Sequence, residues 1–426
     1  MLESFFKLKE NNTNVRTEII AGITTFMTMA YIIFVNPDIL SAAGMDRGAV
    51  TTATILATAF TTILMGLYVN YPFALAPGMG LNAFFAFVVA AKAGWQTALG
   101  AVFISGIVFF LLAVFGAIEL MDEAVPSTLK RAVSVGIGLF IALIGFSNAG
   151  IIVSSPATMV ALGDLTQPGT LLAVIGLALT GILMALGVRG AILIGILLTT
   201  LIGVPMGVTS YQGIFGRPAS LAPILFQLDI VGAFRLGFFT IFALLFVDVF
   251  DTMGTLIGTA TRAGYLDEQG RLPRVKEAML VDAIGTAGGA LLGTSTVTTY
   301  VESAAGVAAG GRTGLTAVVT GLLFLLSLFV APLALTVPGQ ATAPALIIVG
   351  VLMMGAIRGI DFEDFTEAFP AFMTIAIMPF AYSIADGIAA GFITYPLVKV
   401  AAGKSEEVHP LVYLLAVASA LHFFLK

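Results

Sequence analysis

The sequence predicts an all-α polytopic membrane protein: 14 transmembrane segments as two inverted 7-helix repeats, with short extended stretches before half-helices 3 and 10. Three observations carry this. First, 59% of the 426 residues are apolar, only 10% are charged and the mean hydropathy is +1.06, far more apolar surface than one soluble core buries. Second, runs of roughly 20 apolar residues, the length a spanning helix needs, consume most of the chain. Third, two of the runs are short, and each follows an extended or Gly/Pro-broken stretch at the corresponding place in its half.

In chain order, residues 1–18 carry Lys7, Lys9 and Arg16 and no apolar core, so they form a cytoplasmic N-terminal segment and not a cleavable signal peptide. Spans follow at 19–37, 50–69, a short helix at 79–91, 97–118, 132–151, 170–187 and 190–205. The second set lies at 236–260, 278–293, a short helix at 302–311, 314–334, 343–357, 369–382 and 384–402. The tail from 403 to 426 holds an apolar stretch after His409 and Pro410 that is short for a span; its weak amphipathic character leaves a membrane-surface helix and a buried one both open.

With a cytoplasmic N-terminus, the inner segments collect Lys7, Lys9, Arg16, Lys130, Arg131, Arg189, Arg262, Arg271, Arg274, Lys276, Arg312, Arg358, Lys399, Lys404 and Lys426. Only Arg47, Lys92, Arg217 and Arg235 fall outside. That asymmetry obeys the positive-inside rule and puts both termini in the cytoplasm. Shifting the count by one span spoils it.

The stretches before the short helices are 73–80 (FALAPGMG) and 294–301 (TSTVTTYV). Extended backbone at membrane depth is tolerated only where protein or a water-filled cavity covers it, and matched breaks in two halves point to a transporter site between repeats. Thr28-Met29-Ala30 aligns with Thr252-Met253-Gly254 at an offset of 224 residues, and Val135-Gly136-Ile137 with Val349-Gly350-Val351 at 214. Seven spans per half is an odd number, so the halves are inverted.

Ionisable residues at membrane depth cost at least ~2.5 kcal/mol each and mark function. Asp248, Asp251 and Glu302 are the candidates. The two aspartates are i and i+3, hence on one helix face, with no basic residue nearer in sequence than Arg235 and Arg262. Glu302 opens the second half-helix. Burial favours the neutral form of a carboxylic acid, so such a group can take up and release a proton in the working pH range. Asp282 reads differently: beside Lys276, near the cytoplasmic end of its span, it is expected to pair or snorkel.

A polar second layer comprises Thr24, Thr25 and Thr28, Asn82, Thr252 and Thr255, and Thr298, Thr299 and Ser303. Phe26, Phe84, Phe85 and Tyr300 are candidates to stack on a flat ligand. Zero cysteines exclude disulfides and thiol chemistry. Gly78-Met79-Gly80 lacks the context of a dinucleotide site, and Gly310-Gly311-Arg312-Thr313-Gly314 lacks the Walker lysine. The histidines, His409 and His422, lie in the tail. No metal site, cofactor or nucleic-acid partner is expected, and Gly285 to Gly293 reads as close helix packing.

The motifs Thr24-Thr25-Phe26-Met27-Thr28-Met29-Ala30-Tyr31 with Asn36-Pro37, Ala76-Pro77-Gly78-Met79-Gly80-Leu81-Asn82-Ala83-Phe84-Phe85, Phe250-Asp251-Thr252-Met253-Gly254-Thr255 and Thr298-Thr299-Tyr300-Val301-Glu302-Ser303 resemble the nucleobase-cation symporter-2 family. The closest likeness is to its AzgA-type branch of purine permeases, and it runs essentially end to end. It implies a core domain (19–118 and 236–334, spans 1–4 and 8–11) that moves against a gate domain (132–205 and 343–402, spans 5–7 and 12–14). It also implies that Asp251 and Glu302 hold the base. The departure is an Asp where other branches carry Glu in span 8, with Asp248 one turn earlier.

The expected substrate set is Glu302, Asp251, Asp248, Asn82, Thr25, Phe26, Thr28, Phe84, Thr252, Thr299, Tyr300 and Ser303, with Asp248, Asp251 and Glu302 handling the proton. The expected activity is proton-coupled import of a purine nucleobase (adenine, guanine, hypoxanthine or xanthine) across the plasma or inner membrane. A homodimer stays open as an assembly. The alternatives are an anion transporter of the same architecture, which should favour a basic residue over three acids, and an integral-membrane enzyme, for which no nucleophile or metal site emerges.

Overall fold

The computed structural model describes residues 2–266 and 272–425; Arg271 and Lys426 of the basic set lie outside them, as do the side chains of Arg262 and His422. Nine described helices are long and apolar enough to cross a membrane: Val15–Ser41, Arg47–Val69, Trp95–Phe115, Ser127–Asn148, Pro168–Ala185, Phe238–Thr261, Gly314–Thr336, Gly339–Gly359 and Ile384–Ala401. The other five expected segments are also helical, at Met79–Ala93, Ala191–Gly203, Val275–Leu292, Ser303–Ala308 and Phe365–Phe380. Each expected span therefore meets a helix. These are called spans 1 to 14 in chain order.

Span 1 is broken into Val15–Met29 and Ile32–Ser41, with Ala30 and Tyr31 between. The second piece contains Pro37, which removes a backbone donor. Ahead of the break Glu18, fully buried, accepts from the backbone N–H of Arg312 (2.8 Å), Thr313 (3.2 Å) and Thr316 (3.2 Å) and from the Thr316 hydroxyl (2.6 Å). The carboxylate thus caps span 11 from span 1, satisfying donors that a helix start leaves unpaired.

The two short extended stretches are strands β1 (Leu75–Pro77) and, last in the chain, β4 (Val297–Thr299). They pair antiparallel with Leu75 opposite Thr299 and Pro77 opposite Val297. Each runs directly into a half-helix, Met79–Ala93 or Ser303–Ala308, so both half-helices begin at one crossing in the middle of the molecule. The second is shorter than expected, because after Ala308 the chain turns through Gly310 at φ 102°. Between spans 5 and 6 lies a hairpin the sequence reading did not anticipate, β2 (Ile152–Ser155) and β3 (Met159–Leu162).

Packing follows the small residues. Span 9 presses Gly285 against Thr61 of span 2, where a Cβ would clash, and span 11 starts with Gly314 against the backbone of Gly66. Spans 1 and 2 pack on span 11, and span 9 packs on spans 2 and 4; separately, span 5 packs on spans 12 and 13, span 6 on spans 7 and 12, and span 13 on span 14. The tail helix Pro410–Leu425 lies on span 14.

Candidate functional site

At the strand crossing a cavity of about 100 Å³ is walled on one side by residues of the broken elements: Tyr31, Gly78 to Leu81, Asp251, Thr255 and Thr298 to Glu302. Opposite stand Ile137, Val349 and Met353, from spans 5 and 12. A larger cavity of about 420 Å³ shares Ile137, Val247, Asp251, Thr255 and Met353 with it and extends to Ser127, Lys130 and Arg131 at the start of span 5. The small cavity is thus the inner end of a vestibule on the side with the basic residues.

Glu302, one residue ahead of half-helix 10, is held by the Tyr31 hydroxyl, which donates to its Oε1 at 2.5 Å. The break in span 1 puts Tyr31 there. Thr28 bonds back to the carbonyls of Thr24 (3.1 Å) and Thr25 (2.8 Å) and reaches the Glu302 carbonyl at 3.5 Å. Across the cavity Asp251 lines both spaces. The first turn of half-helix 3 leaves backbone N–H groups without intrahelical partners, and its residues Met79, Gly80 and Leu81 line the cavity. Two carboxylates and a set of neutral donors therefore face one small space, and no Lys or Arg lines it among the described residues.

Asp248 lies a turn behind, fully buried, accepting from the Thr286 hydroxyl at 2.9 Å through Oδ2 while Oδ1 has no partner. Asp282 corrects the sequence reading. It is fully buried, and Lys276 instead donates to the Val114 carbonyl at 2.8 Å. Asp282 Oδ2 accepts from Thr252 (2.6 Å) and Thr299 (3.5 Å), and its Oδ1 is unpartnered. The reason is pitch: Asp282 is two turns into Val275–Leu292, on the face that span 8 and β4 cover. Buried acids with an unused oxygen are costly and need explanation.

The remaining expected residues divide. Thr299 and Tyr300 line the cavity, and the Tyr300 hydroxyl donates to the Pro77 carbonyl at 2.6 Å, tying β4 to β1. Thr252 stands behind the lining, also 2.7 Å from the Thr298 hydroxyl. Asn82 is buried off the cavity, accepting from Ser295 and reaching the Pro77 carbonyl at 3.4 Å. Ser303 accepts from the Ala74 N–H at 2.9 Å. Thr25 packs against Gly306, Phe26 stacks edge-on against Phe324 at 5.1 Å, and Phe84 is in the core. None of these five lines the cavity.

Sequence reasoning did not select Tyr31 or the apolar wall of Ile137, Val349 and Met353. Tyr31 carried a signal, since it closes a motif beside an Asn-Pro pair. Of the wall, Ile137 and Val349 lie in the pair Val135-Gly136-Ile137 and Val349-Gly350-Val351 that recurs between the halves, a faint signal, and Met353 carried none.

Comparison with known proteins follows the same lines. A family model described as "Permease family" matches residues 16–390. A Methanocaldococcus jannaschii protein named as a permease is 57% identical, over 99% of this chain and 98% of its own length. The adenine permease AdeP of Escherichia coli K12 is 48% identical over 100% of this chain and 96% of its length. The guanine/hypoxanthine permease PbuG of Bacillus subtilis is 48% identical over 100% of both. Among solved structures, the transmembrane domain of a cyanobacterial bicarbonate transporter, BicA, superposes with a TM-score of 0.65 at 15% identity, covering 89% of this chain and 97% of that one. At that identity the likeness concerns the fold alone, two inverted seven-helix repeats. The motif resemblance to nucleobase-cation symporter-2 holds over the whole chain, which belongs to this permease family.

Proposed function

We propose that the chain imports purine nucleobases with protons by alternating access, its N- and C-termini in the cytoplasm. The observation that carries this is the lining of the small cavity: Asp251 and Glu302 as acceptors, backbone N–H groups of half-helix 3 as donors, and no basic side chain. A purine edge presents N–H donors and ring acceptors that complement this set, and a carboxylate accepts two such donors. The adenine and guanine/hypoxanthine permeases among the relatives support the substrate class. An anion in the small cavity would face two carboxylates, with the nearest cations, Lys130 and Arg131, out in the vestibule, so the second reading is disfavoured.

In this reading Glu302, fixed by Tyr31, and Asp251 hold the base, while Asp248 and Asp282, buried behind Thr286, Thr252 and Thr299, hold and pass the proton. Spans 1–4 and 8–11 form the moving core, and spans 5–7 and 12–14 the gate, whose Ile137, Val349 and Met353 close one wall. The packing of helices into these two sets supports the division. The test is uptake of labelled adenine, guanine, hypoxanthine and sulfate into proteoliposomes with and without an imposed proton gradient. Gradient-driven accumulation of a base is expected; sulfate uptake without base uptake would overturn the reading.

A further inference from the structure

Away from the central site, a cavity of about 470 Å³ lies where the N-terminal segment, the end of span 2, the approach to span 9 and the start of span 11 meet. This is the side the positive-inside rule assigns to the cytoplasm. Lys7, Arg274 and Arg312 line it, and no carboxylate does among the described residues. The cations arrive from three distant parts of the chain. Arg274 donates to the carbonyls of Tyr68 and Val69, each at 2.9 Å, and Arg312 to those of Val307 and Gly311, each at 2.7 Å. Neutral carbonyls orient the Arg312 guanidinium without cancelling its charge, while Arg274 also gives its Nε–H to Glu277 and keeps its two terminal nitrogens on carbonyls. The acidic partners, Glu10 at 3.5 Å from Lys7 and Glu277 at 3.2 Å from Arg274, stand outside the lining.

The backbone gives a second, independent observation. Seven described non-glycine residues have left-handed φ, and three of them, Lys7 (54°), Asn70 (63°) and Arg274 (58°), line this one cavity. Such conformations cost free energy and gather where structure serves a site. Tyr71 and Tyr265, stacked at 5.4 Å, make its floor rigid. On the rim Phe5, Leu67 and Tyr68 expose half or so of their surface, an apolar edge beside the cations.

We propose that this cavity is an anion site for the phosphate of an anionic phospholipid headgroup in the cytoplasmic leaflet. Lys7, Arg274 and Arg312 supply the charge, Arg as a planar donor fork and Lys as a point charge, and the apolar rim meets the acyl chains. Free phosphate shares the headgroup chemistry but gains nothing from Phe5, Leu67 and Tyr68. A bound lipid ties the N-terminal segment to the start of span 11.

The test is native mass spectrometry of the full chain from mixed micelles holding phosphatidylglycerol or phosphatidylcholine, with thermal melting in parallel. The wild type is expected to retain phosphatidylglycerol at least fivefold better than phosphatidylcholine and to melt higher with it. Lys7→Gln, whose side chain makes only an exposed pair, should lose most of that preference, and Arg274→Gln should lose it too. Arg189→Gln, in the turn between spans 6 and 7, should keep it. Inorganic phosphate at millimolar concentration should compete. Equal retention of the two lipids, or a Lys7→Gln chain that melts normally and binds phosphatidylglycerol like the wild type, would overturn the proposal. So would binding of phosphate without retention of phosphatidylglycerol.

Discussion

The Thr252 hydroxyl lies 2.6 Å from Asp282 Oδ2 and 2.7 Å from the Thr298 hydroxyl, so one side chain of span 8 joins span 9 to the strand beside the cavity. Asp251, its neighbour in sequence, lines that cavity. A disturbance at Asp282 is therefore one hydrogen bond and one residue away from the cavity.

Thr252→Val removes the shortest hydrogen bond to Asp282 Oδ2 and leaves the carboxylate with contacts from Thr299. Losing a partner of a buried acceptor costs about 1–3 kcal/mol. The variant should melt several degrees lower in detergent and transport more slowly, while Thr252→Ser keeps both. A wild-type melt and wild-type uptake for Thr252→Val would remove the hydroxyl from the machinery.

Glu302→Gln replaces an acceptor oxygen with a donor and should abolish base binding measured by calorimetry. Tyr31→Phe deletes the 2.5 Å hydrogen bond that orients the carboxylate. A hydrogen bond to a charged group is worth about 1.5–3 kcal/mol, so affinity should fall roughly ten- to a hundredfold. Unchanged affinity in Glu302→Gln would take that residue out of the site.

The two aspartates of span 8 should separate. Asp251 lines the cavity and Asp248 does not. Asp251→Asn is expected to lose binding; Asp248→Asn, a mimic of the protonated acid, should bind the base but fail to accumulate it against a gradient. Reversed phenotypes would exchange their roles.

At the opposite end of the molecule Asp38, in span 1, accepts from the Thr342 hydroxyl of span 12 at 2.6 Å, and Arg47, at the start of span 2, donates to the Val337 carbonyl at 2.8 Å. The first contact joins the proposed core to span 12 of the proposed gate, and the second reaches the connection that leads into span 12, on the side away from the vestibule. Thr342→Val should favour the opposite opening. The chain has no cysteine, so Ser134→Cys, placed in the vestibule wall, reports by its labelling rate with a maleimide. That rate should drop several-fold when Thr342→Val is added, and an unchanged rate would mean that the contact holds nothing closed.

The spans were legible because hydropathy over twenty residues is a strong signal, and the two strands because Thr-rich or Pro-Gly-broken sequence interrupts it at matched places. Asp251 and Glu302 stood out as acids in apolar runs, and both line the cavity. Asp282 was misjudged from its distance to Lys276 along the chain, a one-dimensional cue that helix pitch overrides. Ile137 and Val349 showed only as members of a weak repeat and Met353 not at all, since an apolar residue facing a cavity looks in sequence like one facing lipid. Phe26 and Phe84 show the converse: their rings are spent on packing.

The pairing of β1 with β4 also has a consequence for how the chain is made. Thr62 of span 2 already serves the Leu75 backbone, but the backbone groups of Ala74 and Gly78 at either end of the strand bond to Ser303, Tyr300 and Thr296, more than 200 residues later in synthesis, at a depth where water is scarce. The first repeat cannot complete its own interior, so the newborn half must stay loosely assembled or be sheltered by the insertion machinery. Closing the strand pair across the two halves is then a late step of biogenesis, and lesions in 294–301 should trap an inserted but protease-sensitive chain.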